Sequence, residues 1–162
     1  MERCLAVNPR ATPAARRALL RRALPWLLLA RAAPAFAADD RLMLVTGAQS
    51  PVATLNSLDV HKLFLGLTVI VQDRRLRPLR NESDELMRDV FFQNIVSMSE
   101  SVYDRRMLAL TLQQVGTVPV ALPNTKSVFD ALAADLDAVS YAWADDAAKD
   151  PRIRVLRLLW RR

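Results

Sequence analysis

The chain has 162 residues, one domain's worth, and a formal charge of +6 from 23 Lys and Arg against 17 Asp and Glu. Residues 1–37 carry seven arginines and one acid, Glu2, so residues 38–162 hold 16 basic and 16 acidic side chains and are formally neutral. A neutral body excludes the basic footprint of a nucleic-acid binder, and a single cysteine, Cys4, excludes disulfides and Cys-ligated zinc from residues 38–162.

In chain order, an Arg-rich start ends near Arg22 and an apolar stretch follows, closing on Ala35-Phe36-Ala37. This order and the small-x-small ending predict a signal peptide over 1–37, with a mature chain of 38–162 in the periplasm. The apolar stretch is shorter than the roughly 20 residues a membrane span needs and contains Arg31, so no span is expected after cleavage. The pairs Arg16-Arg17 and Arg21-Arg22 are compatible with twin-arginine export.

RLMLVT (41–46), bounded by Gly47, predicts a strand. A turn-rich stretch then leads to a helix start at Asn56 or Ser57, with Val60, Leu63 and Phe64 on one face and Gly66 as its left-handed stop. LTVIVQ (67–72) reads as extended, Asp73-Arg74-Arg75 as a turn, and LRPLR (76–80) as extended again, because Pro78 disfavours helix at the residue before it. Asn81–Glu85 predicts a helix start capped by Ser83, continued by Leu86, Met87, Val90, Phe91 and Ile95. A helix from Glu100 to about Gln114 is expected to carry Val102, Met107, Leu108, Leu110 and Leu112, with Gly116 after its end. Another, from about Ser127 to Leu136, is expected to bury Val128, Phe129, Leu132 and Leu136. AVSYAWA (138–144) and IRVLRLLW (153–160) predict the last strands, with Asp145 and Asp146 in a polar loop between them. Strands interspersed with helices give an α/β layer fold.

The candidate chemistry is sparse. His61, the single histidine, falls beside the apolar face of its helix and predicts a rim or exposed position, with no metal site of its own. Arg74, Arg75, Arg77 and Arg80 cluster on an extended segment. Arg75 and Arg77, two apart, share one side of a strand and are candidates to hold a small anion or to face an acidic partner. Neither a nucleophile–base–acid set nor a metal cluster nor a Gly-rich phosphate loop is legible, so the chain does not read as an enzyme and no cofactor is expected.

A strand, then LNSLDVHKLFLGLT, an extended segment, LMRDVFFQNIVSMS, Gly116-Thr117-Val118-Pro119 and AVSYA follow one another over roughly 41–160. This order of motifs resembles the phosphate-type periplasmic substrate-binding proteins, and most of all their small single-lobe members. It implies a single lobe of a type II periplasmic-binding-protein-like fold, a mixed sheet flanked by helices. It also implies capture of phosphate or another small anion in the service of an ABC transporter. Ser83 matches the family's serine at a helix N-terminus, and Arg88 the arginine of its Arg-x-x-Phe-Phe stretch. An ordinary cap for Ser83, and an ion pair with Asp84 for Arg88, are the alternatives on the residues alone. The chain departs from the family where VIVQDRR replaces a Trp-x-Asp/Asn-Gly stretch, where Ser140 replaces the glycine of Ile-Gly-Tyr, and where Asn81–Glu85 replaces Ser-Gly-Thr. Those departures keep a second reading open, a periplasmic interaction module or sensor lobe that has lost its ligand and faces a protein partner.

Overall fold

The structure, a computed structural model, describes residues 40–162. The signal-peptide reading, Cys4 and the paired arginines lie outside the described residues. Five strands form a mixed sheet in the order β5-β4-β6-β1-β7, from β1 (Arg41–Gly47), β4 (Arg77–Asn81), β5 (Val120–Leu122), β6 (Ala138–Trp143) and β7 (Ile153–Arg161). The interior strand β1 pairs antiparallel with β6 and β7, while β4 runs parallel to β5 and β6. Both faces of the sheet are covered, which is why RLMLVT is a continuous apolar run rather than an alternating one.

On one face lie α1 (Ser57–Phe64), α2 (Glu85–Val90), a π-helical turn (Phe91–Ile95) and α3 (Glu100–Gln113), closing over Leu42, Leu44, Val139 and Tyr141. On the other, α4 (Thr125–Ala134) and α5 (Ala144–Lys149) cover Val45, Leu79, Ala138 and Ala142. The fold is that of a mixed α/β lobe with helices on both faces of the sheet, as the sequence predicts.

Two glycines do what their scarcity suggests. Gly66 has φ +79°, and Gly66 N–H donates to Leu63 O (3.1 Å) while Leu67 N–H donates to Lys62 O (3.0 Å), the paired bonds of a Schellman stop. Gly116, at φ +81°, packs so closely that a Cβ there would lie 2.0 Å from Gly66 O, and Thr117 N–H donates to that same carbonyl at 2.9 Å. The Phe-Leu-Gly and Gly-x-x-Pro motifs are therefore one contact, not two separate signals.

Several boundaries differ from the sequence reading. The hairpin β2 (Ile70–Val71)–β3 (Arg74–Arg75) turns at Gln72 and Asp73, both at positive φ, one residue earlier than expected. Asp84, not Ser83, caps α2: its side chain accepts from Met87 N–H at 3.0 Å. Helix α3 buries Tyr103 and Met107, while Val102, Leu108 and Leu112 are exposed (45%, 60% and 76%), because the Tyr103–Met107–Leu110 line is the one that meets the core. Leu136 is 41% exposed, since α4 ends at Ala134 before reaching it. Asp145 and Asp146 belong to the first turn of α5, where carboxylates suit the helix dipole, rather than to a loop. No helix among the described residues is long and apolar enough to cross a membrane.

Candidate functional site

Strand β4 enters the sheet at Arg77 and leaves it at Asn81, and its two ends have different chemistry. Backbone pairing with β6 covers Arg77↔Ala138 and Pro78↔Val139. Pairing with β5 begins only at Leu79, which leaves the β5 side of Pro78 free of a missing ladder bond. Beyond Pro78 side chains bridge β4 to β6. The Ser140 hydroxyl donates to Leu79 O (2.8 Å) and the Asn81 amide to Tyr141 O (3.2 Å), both fully buried. Ser140 thus serves as a strut between parallel strands. The crevice outside the carboxyl ends of such strands is where open α/β sheets bind ligands.

At that edge the Ser83 and Thr125 hydroxyls lie 2.9 Å apart. Thr125 opens the ten-residue helix α4, capped by Asn124 through Ser127 N–H (2.8 Å), and free N–H groups at such a start favour an anion. Ser83 N–H donates to the Asn81 side chain (3.1 Å), which fixes the loop leading into α2.

Arg80, three residues before Ser83, is the principal charge of the edge. Its side chain is 16% exposed, and its guanidinium sits 5.3 Å from the Tyr103 ring centroid and 5.9 Å from that of Phe92. Glu82 pairs with it directly, and Asp104 stands 3.9 Å away. Burial opposes the guanidinium's charge, but hydrogen bonding and attraction from Glu82 outweigh it and the pKa is raised. Beneath lies a cluster of rings, with Phe91 stacked on Tyr141 (5.1 Å) and edge-on to Phe64 and Tyr103. The Tyr103 hydroxyl donates to Phe64 O (2.9 Å), and burial, partly offset by Arg80, pushes its pKa up to about 12. The π-helical turn brings both Phe91 and Phe92 into this cluster.

Next to this edge a cleft of about 250 Å³ opens at the end of β6, between Asp84, Trp143 and Asp145. Its charged lining is four aspartates, Asp40, Asp84, Asp145 and Asp146, against Arg41 and Lys149, so it repels anions. Among the described residues no group of three or more His, Cys, Asp or Glu is placed to hold a metal.

The four residues singled out in the sequence do not converge. Ser83 meets Thr125 at the N-terminal end of α4, whereas Arg77 pairs with Asp135 (2.8 Å) just past its C-terminal end. Ten residues at 1.5 Å each separate those ends by roughly 15 Å. Arg75 is exposed and bound to the Gly116–Thr117 turn, through Gly116 O and the Thr117 hydroxyl (2.8 Å), and Arg74 pairs with Asp137. Arg88 is exposed, and Asp84 is turned to its cap instead of pairing with it. Of the residues at this edge, the sequence marks Arg80 only as a member of the arginine cluster and does not single out Glu82 or Thr125. An Asn-Thr start after Pro123 marks a helix cap in sequence, but nothing there says that it meets Ser83.

No family model and no curated protein matches the chain. Solved structures do, at the level of the fold. An ABC-type phosphate transport receptor from Vibrio cholerae matches with TM-score 0.52 and 16% identity, over 74% of this chain and 46% of that one. A substrate-binding protein from Clostridium perfringens, assigned to phosphate ABC transport and holding bound phosphate, matches with TM-score 0.54 and 16% identity over 74% and 45%. The PstS protein from Borrelia burgdorferi matches with TM-score 0.55 and 10% identity over 74% and 47%. The chain spans under half the length of each, and the resemblance read from its motif order holds in its fold.

Proposed function

We propose that this chain is an exported solute-binding lobe that takes a small oxyanion, phosphate foremost, at the carboxyl edge of β4 and β5. The observation that carries the reading is the Ser83–Thr125 hydroxyl pair at the start of α4, in a fold shared with phosphate receptors. In this reading the hydroxyls and the first N–H groups of α4 hold the anion, and Arg80 supplies the positive charge. Glu82 is then a built-in competitor, because its carboxylate already occupies the guanidinium that an anion would use. Affinity is accordingly weak, and export through the 1–37 leader, with no catalytic step, completes the reading.

A second reading, an interaction lobe without a ligand, draws on a specific observation: Leu108, Leu112 and Val115 stand exposed along one side of α3 and its end. Calorimetric titration with inorganic phosphate separates the two. The solute reading expects a saturable phase below millimolar phosphate that the Ser83→Ala/Thr125→Ala double variant loses and that Glu82→Gln, which removes a carboxylate within ion-pair distance, tightens roughly tenfold. Absence of heat up to millimolar phosphate in both the parent chain and Glu82→Gln overturns it and favours the interaction lobe.

A further inference from the structure

We propose that the cavity between α1 and the outer strand β7 is a second oxyanion site, separate from the edge of β4. The cavity is about 150 Å³, against a share of roughly 30 Å³ for one water in the liquid, so it has room for a small oxyanion with part of its hydration. Ser57 and His61 reach it from α1, Asn94 from the π-helical turn and Arg157 from β7, and no carboxylate lines it.

Arg157 is the centre of the argument. It is half-buried, its Nη1 donates to Leu55 O (3.0 Å), and its Nε is buried with no acceptor. Leu55 O is neutral, and no carboxylate pairs with Arg157 among the described residues. A half-buried guanidinium without a counter-charge favours an anion within reach, and the cavity that Arg157 lines is where one can stand.

The other polar groups are suited to the same guest. His61 Nδ1 lies 2.8 Å from Ile95 O; a carbonyl only accepts, so Nδ1 carries the hydrogen, and in the neutral ring Nε2 is an acceptor that can take a hydrogen bond from the O–H of dihydrogen phosphate. Ser57 and His61 are four apart on α1 and share a face. Ser57 is also in the first turn, where Asn56 caps Asp59 N–H (2.8 Å) and the dipole favours negative charge. The charged residues of α1 do not oppose this. Asp59 is held by the Asn56 amide (2.7 Å), Lys62 is exposed, and neither lines the cavity.

The chain's single histidine makes the site directly observable. Sodium phosphate is titrated into the full chain at a fixed pH of about 6, with sodium chloride holding ionic strength constant, and the His61 ring-proton resonances are followed by NMR. The expected result is a saturable shift that the Ser83→Ala/Thr125→Ala double variant leaves in place. Asn94→Asp, which sets a carboxylate on the exposed rim, should weaken it at least tenfold, and Arg157→Gln should abolish it. No phosphate-dependent shift up to tens of millimolar overturns the site. So does a shift of the same midpoint in Asn94→Asp, a conservative change that keeps the test valid should Arg157→Gln fail to fold.

Discussion

The edge of β4 and the cavity beside β7 each hold a half-buried arginine, and the two are treated differently. Arg80 lies over Tyr103 and Phe92, is paired with Glu82 and is approached by Asp104, so its charge is balanced within the molecule. Arg157 has a backbone carbonyl and one buried, unfilled donor, with no carboxylate on the cavity wall. A charge balanced inside the fold supports stability and answers weakly to outside anions, whereas an unbalanced one adds little stability and is open to a ligand. The edge that the fold marks as a binding crevice is thus the electrostatically closed one.

Substitutions can break this contrast. The largest effect is expected from Arg80→Ala, which strands Glu82 and removes the cation from two ring faces. A loss of about 2 kcal/mol in urea unfolding is expected, at the low end for breaking a buried pair because Glu82 is partly exposed and can rehydrate. Tyr103→Phe comes next at about 1.5 kcal/mol, since Phe64 O loses its buried donor. The same variant sharpens the comparison through pH. In the folded chain Tyr103 keeps its proton to about 12, while unfolded it ionises at its ordinary value of 10.0. Its contribution is therefore complete below pH 10 and is lost as pH rises toward 12, so Tyr103→Phe should flatten the alkaline decline in stability, with Tyr141 supplying the remainder. Arg157→Ala should cost least, under about 1 kcal/mol, because one hydrogen bond is exchanged for relief of an unfilled donor. A loss at Arg157 as large as that at Arg80 would erase the distinction.

Much of the fold was legible in the residues. The apolar run 41–46, the α1 face of Val60, Leu63 and Phe64, and the Gly66 stop all rest on local periodicity or on φ, and these survive into the structure. The buried face of α3 was not legible because apolar residues surround the helix, and only the packing of Tyr103 and Met107 into the core chooses a side. Ser83 was found as a candidate, but its partner was not, since Thr125 lies 42 residues away.

The sequence by itself determined the α/β class, the formal neutrality of residues 38–162 after an arginine-rich first 37, and the glycine and proline positions, because these follow from side-chain period, charge count and backbone sterics. Tertiary structure alone decided which arginines are answered. Arg74, Arg77 and Arg80 find Asp137, Asp135 and Glu82, Arg75 binds a turn, and Arg157 finds only a carbonyl. Charge balance at a site depends on distances across elements far apart in the chain, and local pattern carries no record of them.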